Sequence, residues 1–149
     1  MRASLKVRAE RGAMRELEGF VEKFAAEQGL AADDKARTLI VIEELLTNLA
    51  KYGYADRSEV RGTAEVTLEL EGNRLTIEFD DDGDAFDPFG KTAPDLNQAA
   101  ESRPIGGLGL HMVRELAEEA TYSRRNGRNV VRLSRRVTLR RTRRPSGEA

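Results

Sequence analysis

Cysteine is absent from the 149 residues. That excludes a disulfide framework, a thiolate nucleophile and a thiolate metal site. His111 is the one histidine, which argues against a histidine-based metal site and against a Ser-His-Asp triad. No apolar run approaches the length of a membrane span. Met1 to Val7 hold no long apolar core, so no signal peptide is expected, and the cytoplasm is the expected compartment. Basic excess is missing too: 25 Lys and Arg stand against 26 Asp and Glu, a net of -1. A nucleic-acid domain would be net basic, so no direct nucleic-acid partner is expected, and no membrane. The length suits one domain with room for a core.

The charge is unevenly spread. Asp80, Asp81, Asp82, Asp84 and Asp87 crowd one turn, and Arg135, Arg136, Arg140, Arg141, Arg143 and Arg144 crowd the C-terminus. A charge block of the second kind reads as a solvated end. The chain therefore divides into a domain over 1–137 and a basic, flexible tail over 138–149.

Periodicity gives the elements between. Leu5 to Ala9 alternates like a short strand. Ala13, Leu17, Phe20, Val21 and Phe24 fall at helical spacing, and Gly29 ends that helix. Asp33 or Asp34 can cap the next one, which runs to about Tyr52 and stops at Gly53. Ala64, Val66, Leu68 and Leu70 then share one strand face, and Leu75, Ile77 and Phe79 continue the alternation past a Gly72-Asn73 turn, so a hairpin is expected. Pro88 to Ile105 reads as a long polar loop with one short helix near Asp95 to Glu101. Leu108 to Ala117 is helical, and Thr121 to Arg125 and Val130 to Leu133 are strands joined through Asn126-Gly127. This order predicts an α+β two-layer sandwich, with helices on one face of a mostly antiparallel mixed sheet.

Three stretches can carry chemistry. Glu44 and Asn48 are four apart on the second helix and share a face. The stripe of Ile42, Leu46 and Leu49 lies opposite, yet Ile40 and Val41 accompany the pair. That face is either the wall of a site or a surface pair on an exposed helix. Asp81 continues the inward series Leu75, Ile77, Phe79. It is either a carboxylate on the apolar side, which needs a partner, or part of a solvated Asp/Gly turn. Gly106-Gly107-Leu108-Gly109-Leu110 opens a helix. It can aim backbone N–H groups at an anion or serve helix entry and packing alone.

Together and in this order the three stretches resemble the ATP-binding domain shared by gyrase-type topoisomerases, histidine kinases and MutL. Glu44-Leu45-Leu46-Thr47-Asn48 is similar to its N box, Asp81-Asp82-Gly83 to its G1 box and Gly107-Leu108-Gly109-Leu110 to its G2 box. Within that superfamily the likeness is to anti-sigma-factor serine kinases of the RsbW and SpoIIAB kind. It rests on the single small domain, on Asn48 to Tyr54, on Phe86-Asp87-Pro88, and on Gly106 to Val113 followed by Arg124-x-x-Gly127-x-Asn129. It covers Leu5 to about Val137. Two positions depart: Tyr52 stands where the family has His, and Ala85 where the wider superfamily has a second G1 glycine. With no phosphoacceptor-His helix ahead of the domain, a complete histidine kinase is not expected.

The resemblance implies the Bergerat ATP-binding fold, the cofactors ATP and Mg²⁺, and a homodimer. It implies Mg²⁺ on Asn48, a general base at Glu44, and the adenine amine on Asp81 with Gly83 passing close to the base. Gly107, Leu108 and Gly109 would face the phosphates. Pro88 to Ile105 would form a lid from which Lys91 or Arg103 could reach the terminal phosphate, with Gly106 as its hinge. His111 is read as packing or helix surface. The implied activity is a serine/threonine protein kinase acting as an anti-sigma factor, with a STAS-domain antagonist as substrate and a sigma factor as partner. The alternatives are an ATP-binding adaptor or switch without phosphotransfer, and a catalytic fragment serving a separate histidine-bearing protein.

Overall fold

The computed structural model describes residues 1–54, 62–90 and 107–140, with the backbone alone at 107–109 and 111. Five strands and three α-helices are seen among them: β1 (Arg2–Arg8), α1 (Met14–Gln28), α2 (Ala32–Tyr52), β2 (Thr63–Glu71), β3 (Arg74–Asp81), α3 (Gly107–Glu115), β4 (Glu119–Arg125) and β5 (Arg128–Arg136). A short 3-10 turn, Arg11–Ala13, leads into α1. The sheet order is β1-β2-β3-β5-β4. The α+β sandwich is as expected, but all four pairings are antiparallel, so the sheet among the described residues is not mixed. The reason is the last hairpin. Its tight turn reverses the chain, and β5 rather than β4 lies beside β3.

Strand parity builds the two faces. Val66, Leu68, Ile77, Phe79, Val131 and Leu133 are buried on one side, where they meet Leu17 and Val21 of α1 and Ile42 and Leu46 of α2 in one core. Burying a side chain of this size is worth about 1.5–3 kcal/mol. The opposite face is polar and carries cross-strand ion pairs. Glu78 meets Arg132 at 3.2 Å, Asp80 meets Arg128 at 2.5 Å and Arg2 meets Glu69 at 3.5 Å. Such half-exposed pairs contribute little each, but their side chains keep this face in water. The last turn explains itself: Asn126 and Gly127 both have positive φ, 52° and 74°, the conformation a two-residue hairpin of the right twist requires.

Several boundaries differ from the sequence expectation. β1 begins at Arg2 and β5 continues to Arg136, because backbone pairing carries both past their apolar stretch. Helix α3 spans Gly107–Glu115 rather than Leu108 to Ala117. The stripe on α2 is wider than Ile42, Leu46 and Leu49: Thr38, Val41 and Leu45 are buried as well, because two layers and α3 close on it.

The N-cap of α2 is Ala31, without a side-chain cap. Asp34 does something else. Its buried carboxylate accepts a hydrogen bond from the Thr138 N–H at 2.8 Å, with Arg37 at 3.6 Å and Arg135 at 3.8 Å. A buried carboxylate needs such donors. The Arg140 N–H also donates to the Gly29 carbonyl, at 2.6 Å, and Ala31 N–H to that of Thr138, at 3.0 Å. Thr138 to Arg140 are thus hydrogen-bonded to the α1–α2 turn. The residues after them, and Lys91 to Gly106 with the expected short helix, most of the lid, Lys91, Arg103 and Gly106, lie outside the described residues.

Candidate functional site

A cleft opens between α2, the end of β3 and the first turn of α3. Phe79 and Val131 form its floor, Leu45, Asn48 and Leu49 one wall, and Leu110 comes from α3; Tyr52, Phe86 and Pro88 also line it. The space is about 700 Å³, its open side included. Most of the wall is apolar, as small-molecule sites generally are.

Asp81 sits at one end of this cleft. It is the last residue of strand β3, paired with Ala64 on one side and Asn129 on the other. It is 6% exposed, so it is the inward carboxylate and not a solvated turn residue. Burial pushes its pKa above the ordinary carboxyl value, hydrogen bonds from Asn129 and Gly83 pull it back, and Asp82 and Asp80 push it up again. Both of its bonds fall on one oxygen: Oδ1 accepts from Gly83 N at 2.9 Å and from Asn129 Nδ2 at 3.0 Å. Oδ2 accepts none among the described residues. No buried polar side-chain atom there is left without a partner, so Oδ2 is reached by solvent through the cleft.

Gly83 follows at a crowded point. A Cβ there would lie 2.8 Å from Leu49 Cδ1, 3.0 Å from Asp81 Oδ1 and 3.2 Å from the Gly53 carbonyl. Asp84 N–H donates to that same carbonyl at 2.7 Å. The glycine lets the acidic turn dock on the C-terminus of α2. Gly83→Ala should destabilise the protein by about 1–3 kcal/mol, the usual cost of overpacking. Denaturant unfolding measures it, and an unchanged midpoint would show that the turn has room to move.

Asn48 lines the cleft, and its Nδ2 donates to the Glu44 carbonyl at 2.8 Å. A carbonyl can only accept, so the amide orientation is fixed and Asn48 Oδ1 remains as an acceptor. Glu44 lies one turn earlier, half-buried, and does not line the described cleft wall. Gly107, Leu108 and Gly109 open α3, so their N–H groups belong to the first helical turn, which lacks intrahelical acceptors. The neighbouring Leu110 places that turn at the cleft. Tyr52, 40% exposed, and Ala85 also line it. The side chain of His111 is outside the described set.

Two polar groupings escaped the sequence. Asn129 makes four contacts with Asp81 and its turn and two with Tyr122 and Arg124 of β4. Tyr54 donates to Asp82 Oδ1 at 2.5 Å, where Thr63 N–H also donates at 3.2 Å. Burial, then this bond, raises the Tyr54 pKa well above the ordinary phenol value. Asn129 had a signal: it falls on the inward parity of Val131 and Leu133, as Asp81 does on that of Phe79. Tyr54 and Asp82 had none, because only the fold brings them together.

An inward carboxylate after a hydrophobic strand, a wall asparagine and a helix opening on glycine surround one slot. The histidine kinase-like ATPase domain family matches residues 7–135. The chain belongs to this family. Among relatives of this ATPase domain, serine-protein kinase RsbW of Staphylococcus epidermidis is 30% identical over 104 residues, 66% of this chain and 64% of that protein. Serine-protein kinase RsbW of Staphylococcus aureus strain MSSA476 is 30% identical over 103 residues, with the same shares. The match therefore spans less than two thirds of these relatives' own length. A crystal structure of the RsbU and RsbW domains of a Mycobacterium tuberculosis protein superposes with a TM-score of 0.65. It is 21% identical and covers 92% of this chain and 32% of the other, which shows the same fold. No helix of the ATPase domain is long and apolar enough, among the described residues, to cross a membrane.

Proposed function

We propose that the protein binds ATP with Mg²⁺ and transfers the terminal phosphoryl group to a serine or threonine hydroxyl of a STAS-domain antagonist. In this reading it is a cytoplasmic, homodimeric anti-sigma factor, and phosphorylation of the antagonist keeps the sigma factor captured. The observation that carries the reading is Asp81: a buried carboxylate with one oxygen committed to the protein and the other turned to an apolar cleft. Such a group accepts a hydrogen bond from a flat, amino-bearing heterocycle and is poorly matched to anything lacking a donor.

The remaining residues fit the rest of the nucleotide. Among the described residues no three carboxylate or imidazole groups converge on a metal site. Asn48 offers a single amide oxygen, which suits an ion that keeps waters and phosphate oxygens as its other ligands. Gly107, Leu108 and Gly109 would hold phosphate oxygens on the N–H groups and positive end of α3. Bound Mg²⁺–ATP supplies the phosphoryl group and an ADP leaving group. Glu44 takes the proton of the attacking hydroxyl, and the chain's other contribution is positioning.

The test is incubation with terminally labelled ATP, Mg²⁺ and the STAS-domain protein encoded beside this one. Acid-stable label on the partner is the expected result. Because Glu44 stands off the cleft wall, the second reading is an ATP-binding adaptor or switch; ATP bound with no label transferred would establish it. Acid-labile label would point to a histidine acceptor instead.

A further inference from the structure

Asn129 makes six polar contacts, more than the four hydrogen bonds that the two N–H groups and two lone pairs of a side-chain amide provide. Its Nδ2 donates to Asp81 Oδ1 at 3.0 Å, to the Asp84 carbonyl at 2.8 Å and, more weakly, to the Gly83 carbonyl at 3.3 Å. Its Oδ1 accepts from Tyr122 Oη at 2.6 Å, from Arg124 Nη1 at 3.0 Å and from Phe86 N at 3.3 Å. Arg124 Nη1 reaches the Gly83 carbonyl too, at 2.8 Å. The residue is 4% exposed. Two N–H groups and two lone pairs are thus fully engaged within the protein. Although Asn129 lines the cleft, it has no bond left for a ligand.

We infer that Asn129 is a positioning residue for Asp81: by engaging Oδ1 it turns Oδ2 to the cleft as a fixed acceptor, and so sets a preference for 6-aminopurine over 6-oxopurine nucleotides. This rests on the cleft being the nucleotide site. Three properties of the arrangement support it. The two closer donors on Asn129 Oδ1, Tyr122 and Arg124, come from β4 and the third, Phe86 N, from the segment after β3; the acceptors on Nδ2 come from β3 and its turn, so the amide is held from both sides and cannot flip. Without it, Asp81 keeps Gly83 N alone on Oδ1, and the carboxyl can rotate about its last bond. A carboxyl that has lost the Asn129 donor also takes up a proton more readily, and the protonated form offers a hydrogen where a 6-oxo group could accept it. The preference then relaxes in addition to the affinity falling.

ATP and inosine triphosphate differ at the purine 6-position, amino against oxo, and share sugar and phosphates. Their dissociation constants are measured by competition against a fluorescent nucleotide for the parent, Asn129→Ala and Tyr122→Phe. The parent should favour ATP. In Asn129→Ala the ATP affinity should fall about 10–100-fold while that for inosine triphosphate changes far less, so their ratio collapses. A loss of packing alone weakens both alike and leaves the ratio standing. Tyr122→Phe removes one donor from Asn129 at the sheet edge, and its ratio should move the same way by a smaller factor. If Asn129→Ala does not fold, Tyr122→Phe decides alone. An unchanged ratio in the folded variants overturns the inference while the nucleotide site stands. A parent that binds neither nucleotide overturns both.

Discussion

Asp81→Asn should weaken ATP binding by about 10–100-fold and leave the nucleotide-free protein at least as stable as the parent. The two effects have opposite signs because, in the proposed function, Asp81 serves the ligand at the expense of the fold. In Asn, one oxygen still accepts from Gly83 N and Asn129 Nδ2, so the internal bonds survive. The atom facing the cleft becomes an NH₂, a donor aimed at the donor amine of adenine. A hydrogen bond to a charged acceptor, worth about 1.5–3 kcal/mol, is lost, while the cost of burying the charge disappears with it. Calorimetric titration with ATP and thermal unfolding without it check the two halves. Undiminished affinity would remove Asp81 from the site.

The same carboxyl leaves a trace in pH. Its folded pKa lies above the unfolded one, burial being the largest cause, so the native state holds the proton more tightly. The stability this gives is complete below the unfolded value and is lost as pH rises through the folded one. Asp81→Asn should flatten that part of the stability profile.

Glu44→Gln should lower phosphoryl transfer about 10²–10⁴-fold, the usual contribution of a general base, with ATP affinity unchanged. The amide has nearly the shape of the carboxylate and cannot take a proton. Since Glu44 lies off the described cleft wall, and its backbone carbonyl rather than its side chain holds Asn48, the substitution leaves that anchor in place. Single-turnover transfer to the STAS-domain partner, beside ATP titration, separates the two properties. Normal transfer would mean that the base is another group or that none is needed.

Much of this was legible in the chain. Alternation in Ala64 to Leu70 and Leu75 to Phe79 identified the central hairpin because both strands have one buried face. Parity also offered Asp81 as an inward residue, beside the reading of a solvated turn, and the fold has it buried. Beyond these the signals fade for physical reasons. The start of β1 and the end of β5 are fixed by backbone pairing, which leaves no pattern in side chains. The burial of Val41 and Leu45 depends on what packs over α2, not on its own period. Asp34 was readable as a helix-start residue, but its partner Thr138 stands 104 residues away. The contacts of Asn129 with Asp81 and its turn likewise cross about fifty positions, and no local rule reaches that far.

The place of β5 in the sheet has a consequence for how the protein comes into being. It is the last of the five described strands in the chain, yet it sits inside, between β3 and β4. Until it arrives, β3 is an open edge with Leu75, Ile77 and Phe79 alternating along it, and open edges of that kind recruit other chains. The strand that closes the edge also brings Asn129 to Asp81. Assembly of the sheet and completion of the Asp81 end of the cleft are therefore one event, and a nascent chain stopped short of Arg128 has neither.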